Sequence, residues 1–341
     1  MSTKNKTFGD GDNNYTIKGG GIEAHKQVHY NIDMGGGDDT VNVTWSKMTH
    51  DSSQIAGFNT RLGDGNDTIK FNLQHGSYAT DLQLNIDSGS GDDTINVNNI
   101  QYAHHADDVD AVLEGGTGDD TITKSDKSNF DATIYGDENP DNHSAFDSSL
   151  SYNDTIHAGN GNNTIFGGFG DDNITAGDGN NIIYAGYSDN TSEAHTGSNT
   201  ITVGDGDNSI YGGSGGDTIT AGNGNDFIFG GDGNDTINAG GGDNVVTGGA
   251  GSDTFVFSDT CEPSSTEITD YDSGSDTLMF SSSDVNSMDD LTISYDQDHA
   301  YTAEDGSTAH GATTITDTDG NAVIIDGVTP DHLAASDFIF T

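Results

Sequence analysis

Aspartates recur in this chain at a spacing that metal chemistry can use. Asp217, Asp226 and Asp235 stand nine residues apart, Asp253 follows two such steps later, and Asp172 keeps the same phase. Glycines precede each of them, and an apolar residue stands two positions after each. Full copies are Gly212-Gly213-Ser214-Gly215-Gly216-Asp217-Thr218-Ile219-Thr220 and Gly230-Gly231-Asp232-Gly233-Asn234-Asp235-Thr236-Ile237-Asn238. Carboxylates are hard oxygen donors. Glycine-rich turns bring backbone carbonyls close and tolerate positive φ. Together they suit a hard divalent cation, calcium above all. The word is G-G-x-G-x-D-x-U-x, with U apolar, and it runs eleven times without a gap from Ala158 to Val256. Self-similarity at a fixed period marks a solenoid.

The elements that must hold these carboxylates follow from the word itself. Its first six residues predict a tight turn with inward carbonyls. Its last three, such as Thr-Ile-Thr or Phe-Ile-Phe, predict a short strand with the central side chain inward. Two words make one coil of strand, turn, strand, turn. Stacked coils give parallel strands, with the turns in two columns at the edges. A calcium ion between adjacent turns would take Asp carboxylates and backbone oxygens.

The words resemble those of the RTX (repeats-in-toxin) family, whose nonapeptides fold as a parallel β-roll. Glycine-aspartate words cover roughly residues 8 to 257. The resemblance implies an all-β fold and several bound Ca2+ ions, with the sixth residue of each word as side-chain ligand. Those residues are Asp172, Asp217, Asp226, Asp235 and Asp253, with Asn163, Asn181, Asn199, Asn208 and Asn244 in the other words. Asn is neutral and offers one good oxygen, so its turns should bind more weakly or stay empty. The word from Ala185 to Glu193 has Ser192 at the apolar position and reads as a loop inserted into a turn.

Upstream the words recur at a longer interval. The apolar anchors Val41, Ile69, Ile95 and Ile122 lie 28, 26 and 27 residues apart. A second strand-like run precedes each one, so each interval predicts one coil. One turn keeps the glycine-aspartate word, with Asp39, Asp67, Asp93 and Asp120 as its ligands. The opposite turn is replaced by a longer loop. These loops carry Trp45, His50, His75, Tyr78, Tyr102, His104 and His105. A further excursion runs from Asp137 to Tyr152, before the ligand candidate Asp154. Loops on a rigid scaffold often carry function. Aromatic and polar side chains there would suit a surface glycan or a partner protein, although ordinary loop filling explains them as well.

After Phe257 the words stop. Ile268 to Phe280 resembles the capping stretch that follows RTX arrays, with Asp276 as one more candidate ligand. Strand-like runs follow at Leu291 to Tyr295, Thr313 to Ile315 and Ala322 to Ile325. The run Asp337-Phe338-Ile339-Phe340-Thr341 is similar to the uncleaved type I secretion signal of the family, and it also reads as a final capping strand. Three regions are expected: a modified roll with long loops over 1–157, a regular roll over 158–257, and a cap with secretion signal over 258–341.

Composition narrows the partners. Fifty-seven carboxylates face nine Lys and Arg, a formal charge of -48, and every Lys and Arg lies at or before Lys127. Nucleic acid and anionic membrane surfaces are unsuitable partners for such a surface. Only 30% of residues are hydrophobic, so a core is possible only if the phased apolar positions line up. Cys261 is the sole cysteine, which excludes an intrachain disulfide. No apolar run is long enough for a transmembrane segment, and Met1 to Thr7 lacks the apolar core of a signal peptide. The expected route is a type I exporter. Acidic turns repel each other in calcium-poor cytosol and fold outside, at the surface of a Gram-negative bacterium or free of it.

A search for catalytic residues gives little. HExxH is absent. Gly212 to Gly216 matches GxSxG formally, but it lies in a turn of the array rather than between a strand and a helix. Tyr295-Asp296-Gln297-Asp298-His299 gathers acid and base groups and reads as surface polarity. The favoured function is structural, as a surface-layer, matrix or adhesive component, with self-assembly into a homo-oligomer, filament or lattice as the form it would take. The rivals are a soluble calcium buffer and a polysaccharide lyase or epimerase. The enzyme would place its site on the loops between residues 44 and 152, with Lys47, Arg61 or Lys70 to neutralise a uronate.

Overall fold

The structure is a computed structural model. It describes residues 2–22, 28–48, 56–74, 82–98, 109–137, 152–186, 197–258, 264–302 and 308–341. His50, His75, Tyr78, Tyr102, His104 and His105 lie outside these, as do Ser192, Cys261 and most of the excursion between Asp137 and Tyr152. The chain forms two compact units, Met1–Ile183 and Tyr184–Thr341.

In the first unit successive strands alternate between two parallel sheets. One sheet contains Val28–Asp33, Ala56–Asp64, Leu82–Ser90 and Val109–Thr117. The other contains Thr40–Met48, Thr68–Gln74, Thr94–Asn98 and Thr121–Lys124. Each 26- to 28-residue interval thus supplies one strand to each sheet. The apolar anchors fall into register: Val41 opposite Ile69, Ile69 opposite Ile95, Ile95 opposite Ile122, then Ile156 and Ile174. All six are at most 1% exposed. The facing sheet aligns Ile86, Leu113, Ile134 and Ile165 in the same way.

The second unit repeats this arrangement at the shorter period. Ile201, Ile219, Ile237, Phe255, Leu278 and Phe338 form one ladder. Ile210, Ile228, Val246, Ile268 and Ile325 form the other. This is why a chain poor in apolar residues has a core. Nearly every word sends one side chain to the same line.

The array ends as a cap. Ala322–Asp326 pairs antiparallel with Thr308–Thr316, which pairs antiparallel with Thr292–Thr302. Phe338–Phe340 pairs parallel with Thr277–Ser281. Asp337 is buried, and its Oδ2 accepts from Ser273 Oγ at 2.7 Å and from the Ala334 N–H at 3.0 Å. Among the described residues the only helical pieces are three-residue 3-10 turns. None is long or apolar enough to cross a membrane.

Candidate metal centre

The turns at one edge of each unit are joined by their sixth-position carboxylates. In the first unit the N–H of Asp39 donates to Oδ1 of Asp67 at 2.6 Å. Asp67 donates to Asp93 at 2.6 Å, Asp93 to Asp120 at 2.7 Å, Asp120 to Asp154 at 2.8 Å and Asp154 to Asp172 at 2.8 Å. Asn13 begins this column by donating to Asp39. In the second unit the series is Asn199 to Asp217, Asp235, Asp253 and Asp276, at 2.6, 2.7, 2.9 and 3.0 Å. Glycine makes the stacking possible. At Gly231, where φ is 120°, any Cβ would collide with the carbonyl of Gly213 one coil back.

Only one oxygen of each carboxylate is used this way. Oδ2 of Asp39, Asp67, Asp93, Asp120, Asp154 and Asp235 is buried without a hydrogen bond. A buried anionic oxygen without a partner is costly, so it calls for a cation. The surroundings suit calcium. A Cβ placed on Gly212 would lie 2.5 Å from Asp217 Oδ2 and 2.5 Å from the carbonyl oxygen of Gly230. Those distances fall in the calcium–oxygen range of about 2.3–2.6 Å. The same pair of groups converges at Gly115 (Asp120 Oδ2 and the Gly136 carbonyl), Gly136 (Asp154 and Gly167) and Gly230 (Asp235 and Gly248). The first residue of the turn is a buried Met34, Leu62 or Ser88 in the coils of Asp39, Asp67 and Asp93. There Ser88 Oγ itself donates to the Gly115 carbonyl at 3.0 Å.

Burial raises these carboxyls. Asp93 is pushed up to about 8 and Asp120 to about 7, first by desolvation and then by neighbouring carboxylates. Asp67 and Asp235 rise to about 6 for the same reasons. Asp154 is raised by burial and by Asp172, Asp120 and Asp137 around it. The edge as built favours either protons or a metal.

The opposite edge has different chemistry. Its sixth positions are Asn163 and Asn181 in the first unit, and Asn208, Asp226 and Asn244 in the second. Asn163 Nδ2 donates to the carbonyls of Gly159 (3.1 Å) and Gly161 (2.9 Å). Asn181 Nδ2 donates to Gly177 (3.2 Å) and Gly179 (3.0 Å), and Asn208 Nδ2 to Gly206 (2.8 Å). The amide thus gives N–H donors to turn carbonyls that could otherwise face an ion. The words on this edge begin with Ala158, Ala176, Val203, Ala221 and Ala239, all buried, where Gly167, Gly212, Gly230 and Gly248 begin words on the aspartate edge.

A lysine occupies the head of the asparagine edge in the first unit. Thr121, Ile122 and Thr123 pair with Thr155, Ile156 and His157, so Lys124 corresponds to Ala158. It is fully buried. Its Nζ donates to the carbonyls of Ser128 (3.1 Å), Phe130 (2.8 Å) and Asn160, and lies 4.6 Å from the Phe130 ring centre. Burial lowers its pKa to about 7. The sequence gives a partial signal for this residue: Lys124 ends a Thr-Ile-Thr strand where the regular words place Ala or Gly.

The expected ligands therefore fall into distinct settings. Asp39, Asp67, Asp93, Asp120, Asp154 and Asp172 form the aspartate column of the first unit, and Asp217, Asp235 and Asp253 share that of the second unit with Asp276. Asp276 differs because its Oδ2 already accepts the N–H of Asp272 at 2.8 Å. Asp226 stands on the other edge between Asn208 and Asn244, with its Oδ2 buried and free of hydrogen bonds. Trp45 and Lys47 belong to strand Thr40–Met48.

Parallel strands, glycine turns and stacked carboxylates define a calcium-binding β-roll. The family model of the RTX calcium-binding nonapeptide repeat matches residues 105–123, 149–183, 184–219, 193–228 and 220–255. The chain carries RTX calcium-binding nonapeptide repeats, which bind multiple calcium ions. Comparison with curated proteins gives no match.

Proposed function

We propose that this is a secreted protein whose fold is completed by calcium outside the cell, and that it serves as a structural, matrix or adhesive component of a bacterial surface. RTX-repeat proteins are typically secreted by Gram-negative bacteria. The observation that carries the reading is the column of buried, unpartnered Oδ2 atoms. Calcium-poor cytosol leaves those anions uncompensated, and extracellular calcium converts them into folding free energy. A type I exporter is the matching route.

Within this reading, calcium is held along the aspartate edge. The best sites are those at Asp120, Asp154, Asp217 and Asp235, where carboxylate and carbonyl oxygens converge. The opposite edge is held by the amide donors of Asn163, Asn181 and Asn208 and, in the first unit, by the ammonium of Lys124, and needs little metal outside Asp226, whose buried Oδ2 is its exception. Self-association is supported by strand Ser2–Thr7. It is exposed along its length, and its pairing in the first unit is with Val28–Asp33 on one side. An open strand edge can pair with another copy.

Purified chain titrated with calcium after chelation, followed by circular dichroism and light scattering together, tests this. A coil-to-β transition with ordered growth in scattering is expected. A β signal unchanged by chelation would defeat the secretion-coupled mechanism, and a transition that leaves only monomer would defeat the assembly.

A further inference from the structure

The cap contains a cluster unlike the turns. Glu267, His299 and Asp326 bring one ligand atom each to within 4.8 Å of one another. They come from three strands of one sheet: Ser265–Ile268, Thr292–Thr302 and Ala322–Asp326. Glu267 pairs with Ile324, which puts Asp326 two residues further along on the same face. His299 reaches them because its strand is irregular. Asp296 pairs with Ala312 and Ala300 with His310, so Gln297, Asp298 and His299 oppose Gly311 alone. A bulge of this kind re-aims a side chain.

We propose that Glu267, His299 and Asp326 form a site for a transition-series divalent cation, with Zn2+ as its best fit. His299 Nε2 lies 3.3 Å from Asp326 Oδ1 and 3.8 Å from Glu267 Oε1. Ligands about 2.0–2.1 Å from a tetrahedral zinc stand about 3.4 Å apart. The Asp326 side chain is 1% exposed, and neither its Oδ1 nor His299 Nε2 makes a hydrogen bond. Two carboxylates here face a single imidazole, leaving one negative charge uncompensated even when the ring is protonated. The donor set differs from the turns. Imidazole nitrogen suits zinc-like ions, whereas calcium selects oxygen. Three protein ligands leave a fourth position for water or a carboxylate from outside.

The test uses the full chain folded in millimolar calcium and freed of trace transition metals. Zn2+ binding is measured by calorimetry, and Co2+ binding by visible absorption. One equivalent of Zn2+ that millimolar calcium does not displace is expected. In His299→Ala, affinity should fall by at least the roughly 10–100-fold that loss of even an outer partner costs, and the cobalt bands should vanish. Glu267→Gln should weaken binding less. Circular dichroism of each variant in calcium checks that the β-roll is intact. Equal zinc affinity in native chain and His299→Ala overturns the proposal. So does displacement by calcium, which would make this one more oxygen-directed site.

Discussion

The N–H of Asp217 donates to Oδ1 of Asp235 at 2.7 Å, and Oδ2 of Asp235 is buried without a hydrogen bond. One carboxylate thus closes the preceding coil with one oxygen and presents the other to a cation. The two roles separate on substitution. Asp235→Asn keeps an acceptor for Asp217 and removes the charge. We expect a raised calcium midpoint and a loss of about 3–4 kcal/mol in saturating calcium, the linkage value of one ion at 100 to 1,000 times its Kd. Denaturant unfolding at fixed calcium measures it. Asp235→Ala should cost more, since the N–H of Asp217 then also loses its acceptor.

The calcium-free chain should respond to acid. Asp titrates near 3.9 when unfolded, whereas Asp67 and Asp235 are raised to about 6, Asp120 to about 7 and Asp93 to about 8. Between those limits the folded state holds more protons than the unfolded one. Its stability is therefore fully present below about pH 4 and declines as pH rises through 6 to 8. Circular dichroism in chelator should show β structure gained on acidification and lost near neutrality. Calcium binding near pH 7 should release protons. A flat profile would count against the raised carboxyls.

Asn181→Asp probes the other edge. The change removes the donors to Gly177 and Gly179 and adds an anion. Without calcium it should destabilise. With calcium, equilibrium dialysis should find one more ion than in the native chain. If the native chain already fills both edges equally, the ion count will not change and the proposed asymmetry is wrong.

Lys124→Met keeps the stem and removes the ammonium. Two buried carbonyls, of Ser128 and Phe130, and the half-buried one of Asn160 lose a donor, at about 1–3 kcal/mol for each buried one, so a loss of at least about 2 kcal/mol is expected. Chemical denaturation in saturating calcium measures it, and added calcium should not restore the loss. Full rescue by calcium would mean that an ion can take the place of the lysine.

Much of this was legible in the sequence because a repeat states its own register. Val41, Ile69, Ile95 and Ile122 could be aligned from spacing alone, and they meet in one ladder. The aspartates were equally plain. The difference between edges was harder to read. It lies in the alternation of words: Gly at the first position with Asp at the sixth, then mostly Ala with Asn, with Val203 before Asn208 and Ala221 before Asp226 as the departures. That pattern acquires meaning only when two words are seen to make one coil. Lys124 looks like any of nine cations until its strand ends facing three carbonyls. His299 sits in a run of ordinary surface polarity, and a bulge opposite Gly311 is not written in the residues around it.

The aspartate column of the second unit also has a direction. Each N–H finds its acceptor in the coil that follows, from Asn199 through Asp217, Asp235 and Asp253. The series stops at Asp276, whose second oxygen is satisfied by Asp272 within its own turn. The turn at Asp276 is therefore the keystone, closing the carboxylate series within itself, while every earlier turn takes its acceptor from the next. Coils removed from the front leave the next carboxylate with a free acceptor. Loss of the last coil strands the donor of Asp253, and the array opens from that end.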